Sequence, residues 1–94
     1  MPDTALRIVV SGRVQGVGFR EFVRRRADAL GVGGWVRNRA DGRVEAVLAG
    51  DAEVLEQLVA AVACGPRAAR VDAIERSAAD ATAAPRPFRV ERGA

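Results

Sequence analysis

Leu6-Arg7-Ile8-Val9-Val10-Ser11-Gly12-Arg13-Val14-Gln15-Gly16-Val17-Gly18-Phe19-Arg20 changes its hydrophobic period midway, and that change sets the order of the elements around it. Leu6, Ile8 and Val10 alternate with Arg7 and Val9, the two-residue period of a strand with one apolar and one mixed face. From Phe19 the period lengthens: Phe19, Phe22, Val23, Ala27 and Leu30 recur at helical spacing, Glu21, Arg24, Arg25 and Asp28 fall opposite, and Gly31 is placed to end the helix. Between strand and helix stand glycines at 12, 16 and 18. Without a Cβ in the way, successive N–H groups converge there, the free N–H groups of the helix start point the same way, and Arg20 adds a forked cationic donor. That layout suits a small anion such as phosphate or carboxylate. The same glycines also suit a plain strand-to-helix turn, so the remainder of the chain has to decide.

Downstream, Val32 to Ala40 and Arg43 to Ala49 read as two strands joined by Asp41-Gly42, a strong signal for a two-residue hairpin turn. That turn predicts Ala40 opposite Arg43 and Asn38 opposite Glu45. Asp51 is a plausible N-cap for a second helix whose apolar stripe is Val54, Leu55, Leu58 and Val62 and which stops at Gly65-Pro66. A fourth strand is expected around Ala69 to Arg76. Ser77 to Pro87 is Ala-rich, has no clear period and reads as a connection. Phe88 and Val90 alternate with Arg89 and Glu91 in a short last strand at an edge. The order β-α-β-β-α-β plus a short C-terminal strand predicts an α+β protein, a ferredoxin-like split βαβ sandwich with both helices on one face of an antiparallel sheet. Residues 1–94 are expected to form one domain, since a chain this short rarely supports two cores.

Composition narrows the chemistry. Lysine is absent, so all 15 basic residues are arginine, and against 12 acids they give a net charge of +3. Nine arginines and five acids lie in the half that ends at Gly50, so the positive charge sits with the glycine loop and favours an anionic partner. Histidine is absent too, which removes the commonest general base, the Ser-His-Asp and Cys-His arrangements and the usual zinc ligand. No Gly-Lys-Ser/Thr follows the loop, and its glycines lack dinucleotide-binding spacing. Cys64 is the single cysteine, expected to be a small buried residue near a helix end, and an internal disulfide is impossible. No leader-like or membrane-spanning run is present, so cytoplasmic residence and a monomer are expected, without membrane or nucleic-acid partners. Arg24, Arg25 and Arg26 read as a solvated helix face, and Trp35 and Phe22 as core or pocket wall.

Val10-x-Gly12-Arg13-Val14-Gln15-Gly16-Val17-Gly18-Phe19-Arg20, then Gly34-Trp35-Val36-Arg37-Asn38 with Asp41-Gly42-x-Val44-Glu45, and finally Gly65-Pro66, resemble the acylphosphatase family. The resemblance spans nearly the whole chain in order. It implies hydrolysis of a carboxylic–phosphoric anhydride to a carboxylate and inorganic phosphate, with no metal and no cofactor. By position, it assigns phosphoryl binding to Arg20 and the attacking water to Asn38. The loop Gln15, Gly16, Val17, Gly18 and Phe19 would offer backbone N–H groups to phosphate oxygens, with the Gln15 side chain shaping the loop. The expected small-molecule partners are therefore an acyl phosphate and inorganic phosphate. Glu21, where the family often has a bulky residue, Gly33 and the Ala-rich stretch depart from the pattern. An alternative is a binding module of the same fold that holds an anion or carbamoyl phosphate without hydrolysing it.

Overall fold

The computed structural model describes residues 3–93. Strand β1 (Thr4–Arg13) leads through the glycine loop into helix α1 (Phe19–Leu30), followed by β2 (Gly33–Asn38), β3 (Val44–Gly50), helix α2 (Ala52–Cys64), β4 (Arg70–Ala78), a single 3-10 turn (Ala81–Ala83) and β5 (Arg89–Val90). The sheet order is β4-β1-β3-β2-β5. Four strands pair antiparallel as the sequence predicts, while β5 joins the outer side of β2 in parallel and makes the sheet mixed.

Strand periodicity and register together define two faces. Ile8, Ala46, Val36 and Val90 form one row across the sheet, and Val10, Val44 and Asn38 form the next row on the same face. The helices cover this face: Phe19, Val23 and Ala27 of α1 and Leu55, Leu58, Val59 and Val62 of α2 join Ile8, Val10, Val36, Val44, Ala46 and Leu48 in a continuous apolar core. Gly31 ends α1 in the left-handed conformation and returns its N–H to helix carbonyls. Asp51 caps α2, accepting from the Glu53 N–H at 2.9 Å. No helix among the described residues is long and apolar enough to cross a membrane.

Two expectations need correction. The β2–β3 connection is a three-residue loop, Ala40-Asp41-Gly42, because the Arg39 N–H donates to the Arg43 carbonyl at 2.8 Å and the Gly42 N–H to the Arg39 carbonyl at 3.2 Å. Asn38 therefore lies opposite Val44, and Arg37 opposite Glu45. Gly42, with φ 92°, takes the left-handed place that ends such a loop, and the Asp41 carboxylate accepts the Arg43 N–H at 3.1 Å. A one-residue slip in register moves each side chain to the other face. The observed pairing leaves Asn38 on the helix side, in the row of Val10, and Glu45 on the open side.

Cys64 is exposed rather than buried. It follows the buried Val62 by two residues, about 200° around the helix from the stripe that meets the sheet. Trp35, also on the open face, is half-buried, with the Arg37 guanidinium 5.2 Å from its ring centre. Phe22 is half-buried against the core, with its ring 6.2 Å from that of Phe19.

Candidate active site

β1 and α1 meet at a turn that only glycine makes cheaply. Gly16 and Gly18 have φ of 73° and 78°, and a Cβ at either would meet nothing within 4 Å, so backbone conformation rather than crowding demands glycine here. Gly18 is the N-cap residue of α1 and carries no capping side chain, which leaves the first N–H groups of the helix without a side-chain acceptor. Beside this helix start lies a cavity of about 230 Å³ lined by Val14, Gly16, Gly18, Phe19, Arg20, Glu21, Asn38 and Val90.

Arg20 reaches this cavity from the second position of α1, and Asn38 reaches it from the last residue of β2. Eighteen residues apart in the chain, they are brought together by the corrected hairpin register. Among the described residues Arg20 has no ion-pair partner. Its neighbour Glu21 is engaged elsewhere: the Arg24 Nε donates to its carboxylate at 2.8 Å, and this holds the Glu21 carboxyl below its ordinary value. The cavity thus keeps one uncompensated cation.

Gln15 and Val17 do not line the cavity. Val17 packs against the core. The Gln15 side chain crosses to the hairpin, where Nε2 donates to the Arg39 carbonyl at 2.8 Å and to the Arg43 carbonyl at 2.9 Å. Both protons of one amide are spent on the neck of the loop that follows Asn38, so the glycine loop and the Asn38 strand are joined through one side chain. Val14, Glu21 and Val90 are lining residues that sequence reasoning did not pick out. The signal for Val90 was its two-residue spacing from Phe88, which places both on one face, but the partner strand is not readable from two residues.

A larger cavity of about 420 Å³ lies on the open face, lined by Arg7, Arg37, Arg39, Ala40, Asp41 and Glu45. All five of its charged side chains are ion-paired, three arginines sharing two carboxylates. Glu45, 4% exposed, is held between Arg7 and Arg37, with the latter at 2.7 Å, and Arg39 meets Asp41 at 3.0 Å. Burial pushes the Glu45 carboxyl up, but hydrogen bonds from Arg37 and Arg7 outweigh it and hold it below its usual value. A paired set of this kind offers little to an anion, whereas the smaller cavity offers an arginine with nothing opposite.

Fold and cavity together define a class: an α+β sandwich that brings a glycine loop, an uncapped helix start, an arginine and a carboxamide to one cavity. Residues 6–90 match the acylphosphatase family. A relative from Nitrobacter hamburgensis, "Acylphosphatase", is 57% identical over 75 residues, which cover 80% of this chain and 76% of the relative. The crystal structure of acylphosphatase from Bacillus subtilis superposes with a TM-score of 0.89 at 40% identity, covering 94% of this chain and 98% of that one. The structure titled T. kodakarensis HypF also matches, with a TM-score of 0.84 and 34% identity over 95% of this chain, but over only 12% of its own length. The chain belongs to the acylphosphatase family.

Proposed function

We propose that Arg20 and the backbone N–H groups of Gly16, Gly18 and Phe19 hold the phosphoryl group of an acyl phosphate while the Asn38 carboxamide orients the attacking water. The reaction is that of the family: hydrolysis of the carboxyl–phosphate anhydride to a carboxylate and inorganic phosphate. Phosphoryl transfer passes through a loose transition state with charge spread over the equatorial oxygens, so positioning and preorganised donors supply most of the rate. Water attacks phosphorus, the bond from phosphorus to the bridging oxygen breaks, and the carboxylate leaves with its electron pair. Carboxylic acids have a pKa of about 4, so this group departs without a general acid. The proton of the attacking water passes to a phosphate oxygen of the substrate. Asn38 offers a donor and an acceptor and does not titrate, which suits it to hold water rather than deprotonate it.

The observation that carries this reading is the convergence of Arg20, without a counter-charge among the described residues, and Asn38 on one cavity beside the uncapped start of α1. No group of three or more His, Cys, Asp or Glu suited to a metal ion occurs among the described residues. The test is hydrolysis of benzoyl phosphate by purified protein in EDTA. Release of phosphate well above the buffer rate is expected, and a rate equal to the blank overturns the reading. We further propose that residues 1–94 act as one domain and as a monomer, supported by one shared core and by an edge strand, β4, that exposes Arg70, Asp72, Glu75 and Arg76. An exposed single cysteine is suited to the reducing cytoplasm.

A further inference from the structure

We propose that Val90 selects the acyl group, favouring uncharged apolar acyl phosphates over those whose acyl chain carries a second anion. The inference rests on the acyl phosphate reading of the cavity and concerns the half of the substrate that the phosphoryl-binding groups do not touch.

Phe88 and Val90 stand two apart and point to the helix side of the sheet. Phe88 enters the core at 4% exposure. Val90 sits beside the fully buried Val36, yet it is 40% exposed, the one large hydrophobic residue so exposed among the described residues. A lone exposed valine on a surface needs no explanation. This one lines the cavity shared by Arg20 and Asn38, next to the row that Asn38 occupies. With the phosphoryl group held at the glycine loop, Val90 forms an apolar wall left for the acyl group, and an apolar acyl group removes its methyls from water.

Charge around the cavity acts in the same direction. Arg20 is the one cation that lines it, and the phosphoryl group occupies that cation. The other charged lining residue is Glu21, a carboxylate already paired with Arg24, which offers no positive charge to the cavity. A carboxylate or second phosphate on the acyl chain finds no cation there, and it must lose water beside an acid and a valine.

The experiment compares kcat/KM for benzoyl, acetyl and succinyl phosphate in the wild type, Val90→Thr and Val90→Arg, with inhibition by inorganic phosphate measured in each to report the phosphoryl site. The wild type is expected to rank benzoyl above acetyl above succinyl phosphate. Val90→Thr keeps the branched shape and replaces a methyl by a hydroxyl, so the benzoyl-to-acetyl ratio is expected to fall about three- to tenfold. Val90→Arg supplies the missing cation and is expected to raise the succinyl-to-acetyl ratio by about as much. Should Val90→Thr not fold, Val90→Arg decides alone, since its side chain extends into solvent from an edge. Ratios that stay put in variants still inhibited by phosphate, or a wild type that prefers succinyl phosphate, overturn the role of Val90 and leave acyl phosphate hydrolysis standing. A wild type that hydrolyses none of the three removes both.

Discussion

A guanidinium that meets no carboxylate keeps its field for the substrate, and Arg20 is in that position among the described residues. Asn38 carries no charge and contributes only where its carboxamide points. The two should therefore fail differently. Arg20→Gln keeps a donor but loses the charged fork, so phosphate should inhibit far less and kcat/KM should fall about a hundredfold or more. Asn38→Ala should lower kcat about a hundredfold while inhibition by phosphate stays near the wild-type value. Steady-state kinetics with phosphate as competitive inhibitor separates the two, and equal loss of phosphate binding in both variants would contradict the division of labour. Both residues were candidates in the sequence, because the motif blocks around Gly12 to Arg20 and Gly34 to Asn38 each carry several matching positions, and both line the one cavity. Glu21 and Val90 were not, since neither residue type is informative away from the cavity it lines.

At the scale of elements, the site depends on holding two segments in fixed relation. The strand-to-helix turn is written locally, in the change of period and in glycines at 16 and 18, and it was read correctly for that reason. The hairpin register was not local. Asp41-Gly42 suits a two-residue or a three-residue loop, and the choice in favour of the longer one goes with hydrogen bonds that Gln15, more than twenty residues away, donates to both sides of the loop neck. The parallel pairing of β5 is equally non-local. Gln15→Leu should therefore cost about 1–2 kcal/mol of stability, a modest amount because the Arg39 and Arg43 carbonyls keep their backbone donors. It should also lower kcat by several-fold as Asn38 loses its fixed distance from the loop. Thermal unfolding and kcat measured on the same preparation check this, and an unchanged kcat in a destabilised variant would confine Gln15 to folding.

For the molecule as a whole, titration should affect folding before it affects turnover. Without histidine, kcat is expected to stay nearly level from about pH 5 to 8. Stability should respond at lower pH. Glu45 is held below its ordinary value once Arg37 and Arg7 outweigh burial, and Asp41 is lowered to about 2 by hydrogen bonds from the Arg43 side chain and backbone, with Arg39 adding to it. Both carboxyls bind protons more readily in the unfolded chain, where they titrate near about 4. Their contribution is complete above that range and is lost as the pH falls through the lower folded values. The thermal midpoint should hold from pH 8 to 5 and decline below about 4, and Glu45→Gln should flatten the decline. The presence of arginine rather than an amine in the cavity has one more consequence. An acyl phosphate is an acylating agent, and an unprotonated lysine beside its carbonyl would be converted to an amide. A guanidinium is a poor nucleophile, and the chain contains no lysine, so the protein can hold an activated acyl group without being modified by it at a lysine.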